Sequence, residues 1–373
     1  MSLQPETRLT RIHPERGLWK VSLDRDGTEV SRLWIFTKRM RIGTASIRIG
    51  GIGNVGTERD HRLKGYSSLV MRESTRLLSE QRIEMGFLFG IQDFYHRFGY
   101  DVAFAQTELQ IPAEALTCAR PALRTRMMVR ADAPSVRRIY NQLNAGRTGT
   151  IVRPPRWQYF AISAGFKPAG RTVLALDGRD RIVGYAMYGV RDERLVISEI
   201  EARSHHAFQA LAAALSMRAR RKGVQTAEIH VPIGHAFGSY CVSLGCSRQI
   251  RHPRNGGPMA RIIDLPRLLD RILPDLSRRV ADSGLSGAVT FRTDLGHVCL
   301  GLQNGQVRRL PEPPADALRV LLPQSALMQL AMGYRCAADV SQDPGVSIPR
   351  RALAIVDSLF PEGAPYMAWP DRF

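Results

Sequence analysis

The residues best placed for chemistry lie between Gly53 and Ser68. Gly53-Asn54-Val55-Gly56-Thr57 reads as a strand, and Glu58-Arg59-Asp60-His61-Arg62-Leu63-Lys64-Gly65-Tyr66-Ser67-Ser68 as a basic glycine turn entering a helix. Such a turn suits a phosphate. The first N–H groups of a helix have no carbonyl partner within it, Gly65 lets a bulky anion approach the main chain, and Arg62 and Lys64 add positive charge. Spacing alone leaves the kind of phosphate ligand open. After the next short strand, Phe87-Leu88-Phe89, comes Asp93-Phe94-Tyr95-His96-Arg97-Phe98-Gly99-Tyr100. By residue type Tyr95 is either a phenol able to pass a proton or a core tyrosine on an apolar helix face.

Other chemistry-bearing residues carry less. His205-His206 and the pair His230 and His235 lack helical i, i+4 spacing with an acidic third partner, so no metal site is expected. Five cysteines, Cys118, Cys241, Cys246, Cys299 and Cys336, make an odd count with no C-x-x-C pair, which fits small buried thiols rather than disulfides or zinc. The run Arg218-Ala219-Arg220-Arg221-Lys222 closes a helix, where cations favour the helix dipole and solvent. No aromatic residues interleave it, so nucleic acid is not expected as a partner.

The elements that must position these residues follow from periodicity. Residues 19–57 alternate apolar and polar and turn at Asp26-Gly27, the pattern of a β-meander. Leu69, Val70, Leu77 and Leu78 recur at helical spacing over Tyr66 to Gln81, and a helical turn is expected over Asp93 to Phe98. The pattern weakens between Pro112 and Pro121 and then restarts. A helix through Val136, Ile139, Tyr140 and Leu143 precedes strands at Val173–Leu176, Ile182–Tyr188 and Leu195–Glu201, a helix at Phe208–Arg221 and a strand at Thr226–Val231. This repeats the first order. Past Leu265 a helix, two alternating segments, an Asn304-Gly305 turn and further helical stretches read as an α+β unit. The expected division is residues 1–120, 121–265 and 266–373.

A chain of 373 residues, 44% of them apolar, can bury several cores, which excludes a disordered protein. Its charge of +19 calls for a negatively charged ligand or partner to be considered, and +14 of it falls in residues 121–265. Only 5 of the 53 cations are lysines, a skew that resembles genome composition more than selection for nucleic acid. The apolar stretch Ala207 to Met217 is interrupted by Gln209 and is too short for a membrane span. The first residues carry Glu6, Arg8, Arg11, Glu15 and Arg16 with no apolar block, so a secretory signal is not expected and cytoplasm is the default location.

The run Arg62-x-x-Gly65-x-Ser67 after a strand resembles the acyl-CoA pyrophosphate loop of the GNAT acetyltransferases, with Ser67 where that family usually has Gly or Ala. Phe94-Tyr95-His96-Arg97-Phe98-Gly99-Tyr100 resembles the F-Y-x-R-F-G-Y signature of one GNAT branch. Two such motifs in order imply that Arg62, Lys64, Gly65, Tyr66 and Ser67 bind acetyl-CoA, and that Val55 and Thr57 on a splayed strand pair with its pantetheine arm. Tyr95 would stand beside the thioester sulfur as general acid. A second GNAT-like half whose equivalent loop, Ala202-Arg203-Ser204-His205-His206-Ala207, lacks the motif, and a last unit similar to sterol carrier protein type 2, together resemble the enhanced intracellular survival acetyltransferases.

The ending Ala368-Trp369-Pro370-Asp371-Arg372-Phe373 belongs to that resemblance. It implies that the terminal carboxylate of Phe373 reaches the first active site as general base, with Glu58 and Asp371 as fallback bases. It also implies a homo-oligomer, commonly a hexamer. The run before Arg62 is shorter than in the resembled family, so part of the acceptor cleft is expected to be missing. Val289, Phe291, Val298, Leu300, Leu302, Leu327, Leu330 and Met332 would line a lipid tunnel in a working sterol carrier and are otherwise core.

The reading is an α/β (α+β) chain with central mixed sheets, acting as an acetyl-CoA-dependent N-acetyltransferase on an amine-bearing small molecule or peptide. No cysteine nucleophile lies near either motif, so direct attack is expected. The competing reading is a non-catalytic acyl-CoA or lipid-binding protein whose basic middle domain docks an anionic partner.

Overall fold

A computed structural model describes residues 7–117, 121–155 and 171–373; Cys118 and Glu6 lie outside them. The described residues fall into two compact units. The first holds the chain up to Phe104, Pro253–Pro365 and Phe373; the second holds Ala105–His252 and Tyr366–Arg372.

In the first unit the alternating stretch becomes a meander of four strands: β1 (Thr7–Glu15), β2 (Leu18–Arg25), β3 (Thr28–Ile42) and β4 (Ala45–Thr57). Asp26 and Gly27 take φ of 50° and 77°, the left-handed pair that gives a two-residue hairpin the same twist as its strands. Helix α1 (Tyr66–Glu80) then buries Val70, Met71, Ser74, Leu77 and Leu78, a stripe at i, i+1, i+4, i+7 and i+8. It leads into β5 (Met85–Gly90), parallel to β4. Gly257–Ile262 pairs on the far side of β5 and Asp101–Val102 closes the edge, making seven described strands. The expected helical turn over Asp93 to Phe98 is a short 3-10 turn at His96–Phe98.

The same unit contains a four-stranded sheet, Gly287–Thr293, Gly296–Gln303, Gln306–Leu310 and Leu318–Leu321. Its helix Leu265–Val280 is tied to the β3–β4 turn through Asp275. That wholly buried carboxylate accepts from the Thr44 backbone N and Oγ1, each at 2.8 Å, and pairs with Arg279 at 2.7 Å. Buried charge persists only where it is satisfied in this way. The residues considered for a lipid tunnel, from Val289 to Met332, are all buried and pack as core.

The second unit is built on another seven described strands: Ser247–Arg251, Gln106–Pro112, Thr226–Ile229, Arg194–Ala202, Ile182–Arg191, Arg171–Leu176 and Arg124–Met127, in that order. Arg194–Ala202 and Thr226–Ile229 are parallel and joined by the helix His205–Arg221, so the strand–helix–strand order of β4, α1 and β5 recurs.

The compact units do not follow the boundaries read from sequence. Gln106–Pro112, on the first side of the boundary at 120, pairs in the second sheet. Gly257–Ile262, before the boundary at 265, pairs with β5, and residues from 266 to 365 cluster with the first hundred. Pairing between distant strands is invisible to periodicity, which sees an element but not its neighbour. The architecture is α/β with mixed parallel and antiparallel sheets. No helix among the described residues is long and apolar enough to cross a membrane.

Candidate active site

The β4–β5 ladder runs from Ile49↔Met85 to Ile52↔Leu88 and stops, although β4 continues to Thr57 and β5 to Gly90. The reason lies on the other edge of β4. Between the pairs Trp34↔Gly53 and Arg32↔Gly56, two residues of β4, Asn54 and Val55, stand opposite the single residue Leu33. Asn54 takes φ 50°, a left-handed conformation that asparagine tolerates better than most residues. A bulge of this kind bends its strand and raises the local twist, which carries β4 away from β5 and opens a cleft between them. Val55 and Thr57, expected on a splayed strand, lie beyond the last β4–β5 pair.

Phe373 is seated in that cleft. A Cβ on Gly51 would come within 2.0 Å of the Phe373 ring, and one on Gly53 within 2.9 Å of its carboxyl carbon, so the two glycines form a cradle that any side chain would fill. The ring has Phe36, Phe87 and Phe89 around it, each at 6.3 Å between centroids, and Lys38 Nζ 4.6 Å above its face. Residues paired across a ladder share a face, so Gly51, Gly53, Phe87 and Phe89 lie on one side of the sheet and Ile52, Leu88 and Gly90 on the other.

Tyr95 comes from that other side. A Cβ on Gly90 would meet Tyr95 Cδ2 at 2.5 Å, and the phenol packs with Ile52, Val70, Leu88 and Tyr100 in the cluster under α1. Burial raises its pKa above the ordinary phenol value. Tyr100, the other tyrosine of the motif, is 1% exposed and stacked against Gly86, deeper in the core. Tyr95 at one face and the terminal carboxyl at the other thus flank the cleft where the ladder ends.

The basic loop leads directly from β4 to α1. Gly65 is the N-cap residue at φ 78°, and among the described residues no side chain caps the helix and nothing lies within 4 Å of a Cβ placed on Gly65. Arg62 and Lys64 are exposed, donating to the Thr57 carbonyl at 3.3 Å and the Asp60 carbonyl at 2.8 Å. Tyr66 accepts from Arg25 at 3.2 Å, and Ser67 occupies the first turn. The equivalent helix of the second unit begins differently. Ser204 is its N-cap, and the Ser204 hydroxyl accepts from the Ala207 N–H at 3.2 Å, so an amide that could meet an anion is already taken.

The remaining candidates lie elsewhere. Glu58 is exposed and paired with Arg32 at 3.2 Å. Asp371 is fully buried in the second unit, its carboxylate accepting from Tyr140 Oη at 2.8 Å and from Arg153 Nε and Nη2 at 3.0 Å each. His235 accepts from the Phe237 N–H and bonds Glu201 at 3.3 Å, while His230 bonds Glu228 at 2.8 Å. One grouping of metal-ligating types among the described residues, Cys336, Asp339 and Glu362, brings ligand atoms within 4.8 Å of one another with both carboxylates exposed. Sequence reasoning missed Gly51, Phe36 and Lys38. The run Gly50-Gly51-Ile52-Gly53 held the signal, because glycines inside a strand mark a close approach by something else.

Residues 8–103 match the family described as acetyltransferase (GNAT) domain. No curated protein matches the chain. Among solved structures it is similar to a conserved protein from Enterococcus faecalis V583 described as a probable N-acyltransferase, at TM-score 0.79 and 18% identity over 99% of this chain and 100% of that one. It is also similar to a GCN5-related N-acetyltransferase from Kribbella flavida, at 0.71 and 18% over 95% and 87%, and to Eis1 from Mycobacterium abscessus, at 0.69 and 17% over 99% and 100%. At these identities the structures speak for the fold, and the family match speaks for the chemistry. Residues 8–103 accordingly match a GNAT acetyltransferase domain, which supports reading the chain as an N-acetyltransferase.

Proposed function

We propose that the chain transfers an acetyl group from acetyl-CoA to an amine by direct attack, with Tyr95 as general acid and the terminal carboxylate of Phe373 as general base. The observation that carries this reading is the terminal residue cradled by Gly51 and Gly53 at the point where the β4–β5 ladder ends. Further support comes from the loop. A left-handed glycine at the N-cap, open space beside it and two exposed cations fit a pyrophosphate. Acetyl-CoA, when bound, supplies the activated acyl group.

The residues then divide the proton work by position. A protonated amine cannot attack, and the Phe373 carboxylate takes the proton from nitrogen directly or through water. Tyr95 Oη, on the opposite face, gives a proton to the departing thiolate. Burial keeps that phenol protonated until it is needed.

The acceptor is an amine-bearing small molecule or peptide: Phe36, Phe87, Phe89 and Lys38 are engaged with the Phe373 ring itself, and the chain's charge of +19 disfavours a polycation. By resemblance we further read the chain as tandem GNAT-like domains, the second degenerate, followed by a sterol-carrier-like domain, assembled as a homo-oligomer.

The test is acetyl-CoA-dependent thiol release by the untagged chain against arylalkylamines, polyamines, aminoglycosides and lysine peptides. Turnover with at least one of these amines is expected; silence across the panel, with acetyl-CoA bound, overturns the reading. Replacing Arg62 and Lys64 together by Ala is expected to raise the KM for acetyl-CoA about tenfold, equivalent to ~1.4 kcal/mol, with kcat unchanged. An unchanged KM would remove the loop from the binding site.

A further inference from the structure

The second unit repeats the cleft of the first and fills it. Its parallel pair ends at Ile197↔Ile229, while Arg194–Ala202 runs on. Beside that end a bulge leaves one residue, Ser198, without a partner in the ladder between the pairs Met187↔Glu199 and Tyr188↔Ile197. In the first unit the matching place holds Phe373. Here it holds the chain's own tail.

Tyr366 donates its backbone N–H to Thr148 O at 3.0 Å and its hydroxyl to His230 O at 2.8 Å, and Trp369 stacks on His230 at 4.0 Å. The centre is Arg153. Its guanidinium is fully buried, lies 3.4 Å over the Tyr140 ring and donates to two carboxylates. Nε and Nη2 meet Asp371 Oδ1 and Oδ2 at 3.0 Å each; Nη1 and Nη2 meet Glu199 at 2.8 and 2.5 Å. Tyr140 donates to Asp371 at 2.8 Å and Tyr185 to Glu199 at 2.6 Å. Burial opposes the charge on Arg153, but Asp371 and Glu199 more than offset it and keep the guanidinium protonated.

A buried ion cluster is a poor way to gain stability, since apolar residues of the same volume commonly do as well or better. What a bidentate pair adds is a fixed position and direction. Asp371 is two residues from the end of the chain, and Phe373 is one peptide bond beyond the last residue of the second unit.

We propose that Arg153, with Tyr140 and Glu199, is a receptor for the Asp371 carboxylate, and that by fixing the tail it positions the terminal carboxylate of Phe373 for acetyl transfer. This rests on the terminal-base reading above. Arg153, Tyr140 and Asp371 are positioning residues, and the degenerate cleft has become a holder for the catalytic end of the chain.

The experiment uses the full chain as wild type, Asp371→Asn, Asp371→Ala and the milder Tyr140→Phe, beside a chain extended by one residue after Phe373. Tail docking is read from the rate at which carboxypeptidase A releases Phe373 and from hydrogen exchange at residues 367–372. Catalysis is read as kcat and KM separately. In Asp371→Ala, release is expected to rise and kcat to fall, each about tenfold, with the KM for acetyl-CoA unchanged. Asp371→Asn and Tyr140→Phe should move both in the same direction by less. Tail release and exchange unchanged in Asp371→Ala and Tyr140→Phe would overturn the receptor. Faster release with unchanged kcat, in a protein whose extended form is inactive, would overturn the positioning role and leave the terminal base standing. Should the extended chain keep full activity, the terminal-base reading fails and the positioning role with it, while the release rates still decide whether the anchor exists.

Discussion

A chain carrying one extra residue after Phe373 is expected to keep its fold and its KM for acetyl-CoA while losing about 100-fold or more in kcat, the loss typical of removing a general base. The carboxyl carbon of Phe373 lies 2.9 Å from where a Cβ on Gly53 would stand, so there is little room for it to shift along β4. An added residue replaces the carboxylate by a neutral amide and moves the charge by roughly 3.8 Å, the spacing of one residue. The aromatic seat among Phe36, Phe87 and Phe89 is untouched, which is why binding and melting temperature should hold. A terminal amide at Phe373, made by ligation, separates charge from position: it keeps the geometry and should be nearly as inactive. Full activity in both chains would remove the terminal carboxylate from the mechanism and turn attention to Glu58 or water.

The second large effect is expected from Tyr95→Phe. Removing the hydroxyl leaves the packing against Gly90, Leu88 and Ile52 in place, so the thermal midpoint should shift little. The proton for the departing thiolate is lost, and kcat should drop about 100-fold with the KM for acetyl-CoA unchanged. The pH dependence gives an independent check. A general acid works while protonated, and burial raises the Tyr95 phenol above its ordinary pKa. The wild type should therefore show no alkaline loss attributable to this group below pH ~10. An unchanged rate in Tyr95→Phe would return Tyr95 to the role of a core residue.

Much of the local structure was legible because it depends on neighbours in sequence. The Asp26-Gly27 turn, the α1 stripe of Val70, Leu77 and Leu78, and the Asn304-Gly305 turn each follow from a few adjacent residues and appear where periodicity puts them, whereas Leu69, read with that stripe, is exposed. The shape of the basic loop was legible for the same reason, since Arg62, Lys64 and Gly65 lie within one turn. The extent of the compact units was not. Gln106–Pro112 and Gly257–Ile262 join sheets far from their neighbours in the chain, and register between distant strands leaves no mark on a periodic pattern.

By itself, the sequence determined a strand, a basic glycine turn and a helix able to hold a phosphate, a tyrosine motif after the next strand, and an apolar tail. It also carried the resemblance that joins them in one reaction. Only the tertiary structure decided how those parts meet. The bulge at Asn54 opens β4 from β5, the glycines at 51 and 53 clear a seat for Phe373, and Tyr95 arrives from the opposite face. Asp371, two residues from the terminus and by type an equally good base, is instead spent on Arg153 and Tyr140. The physical reason is that a carboxylate's role depends on its partners and on its access to solvent and substrate, and both are set by segments more than two hundred residues away in the chain.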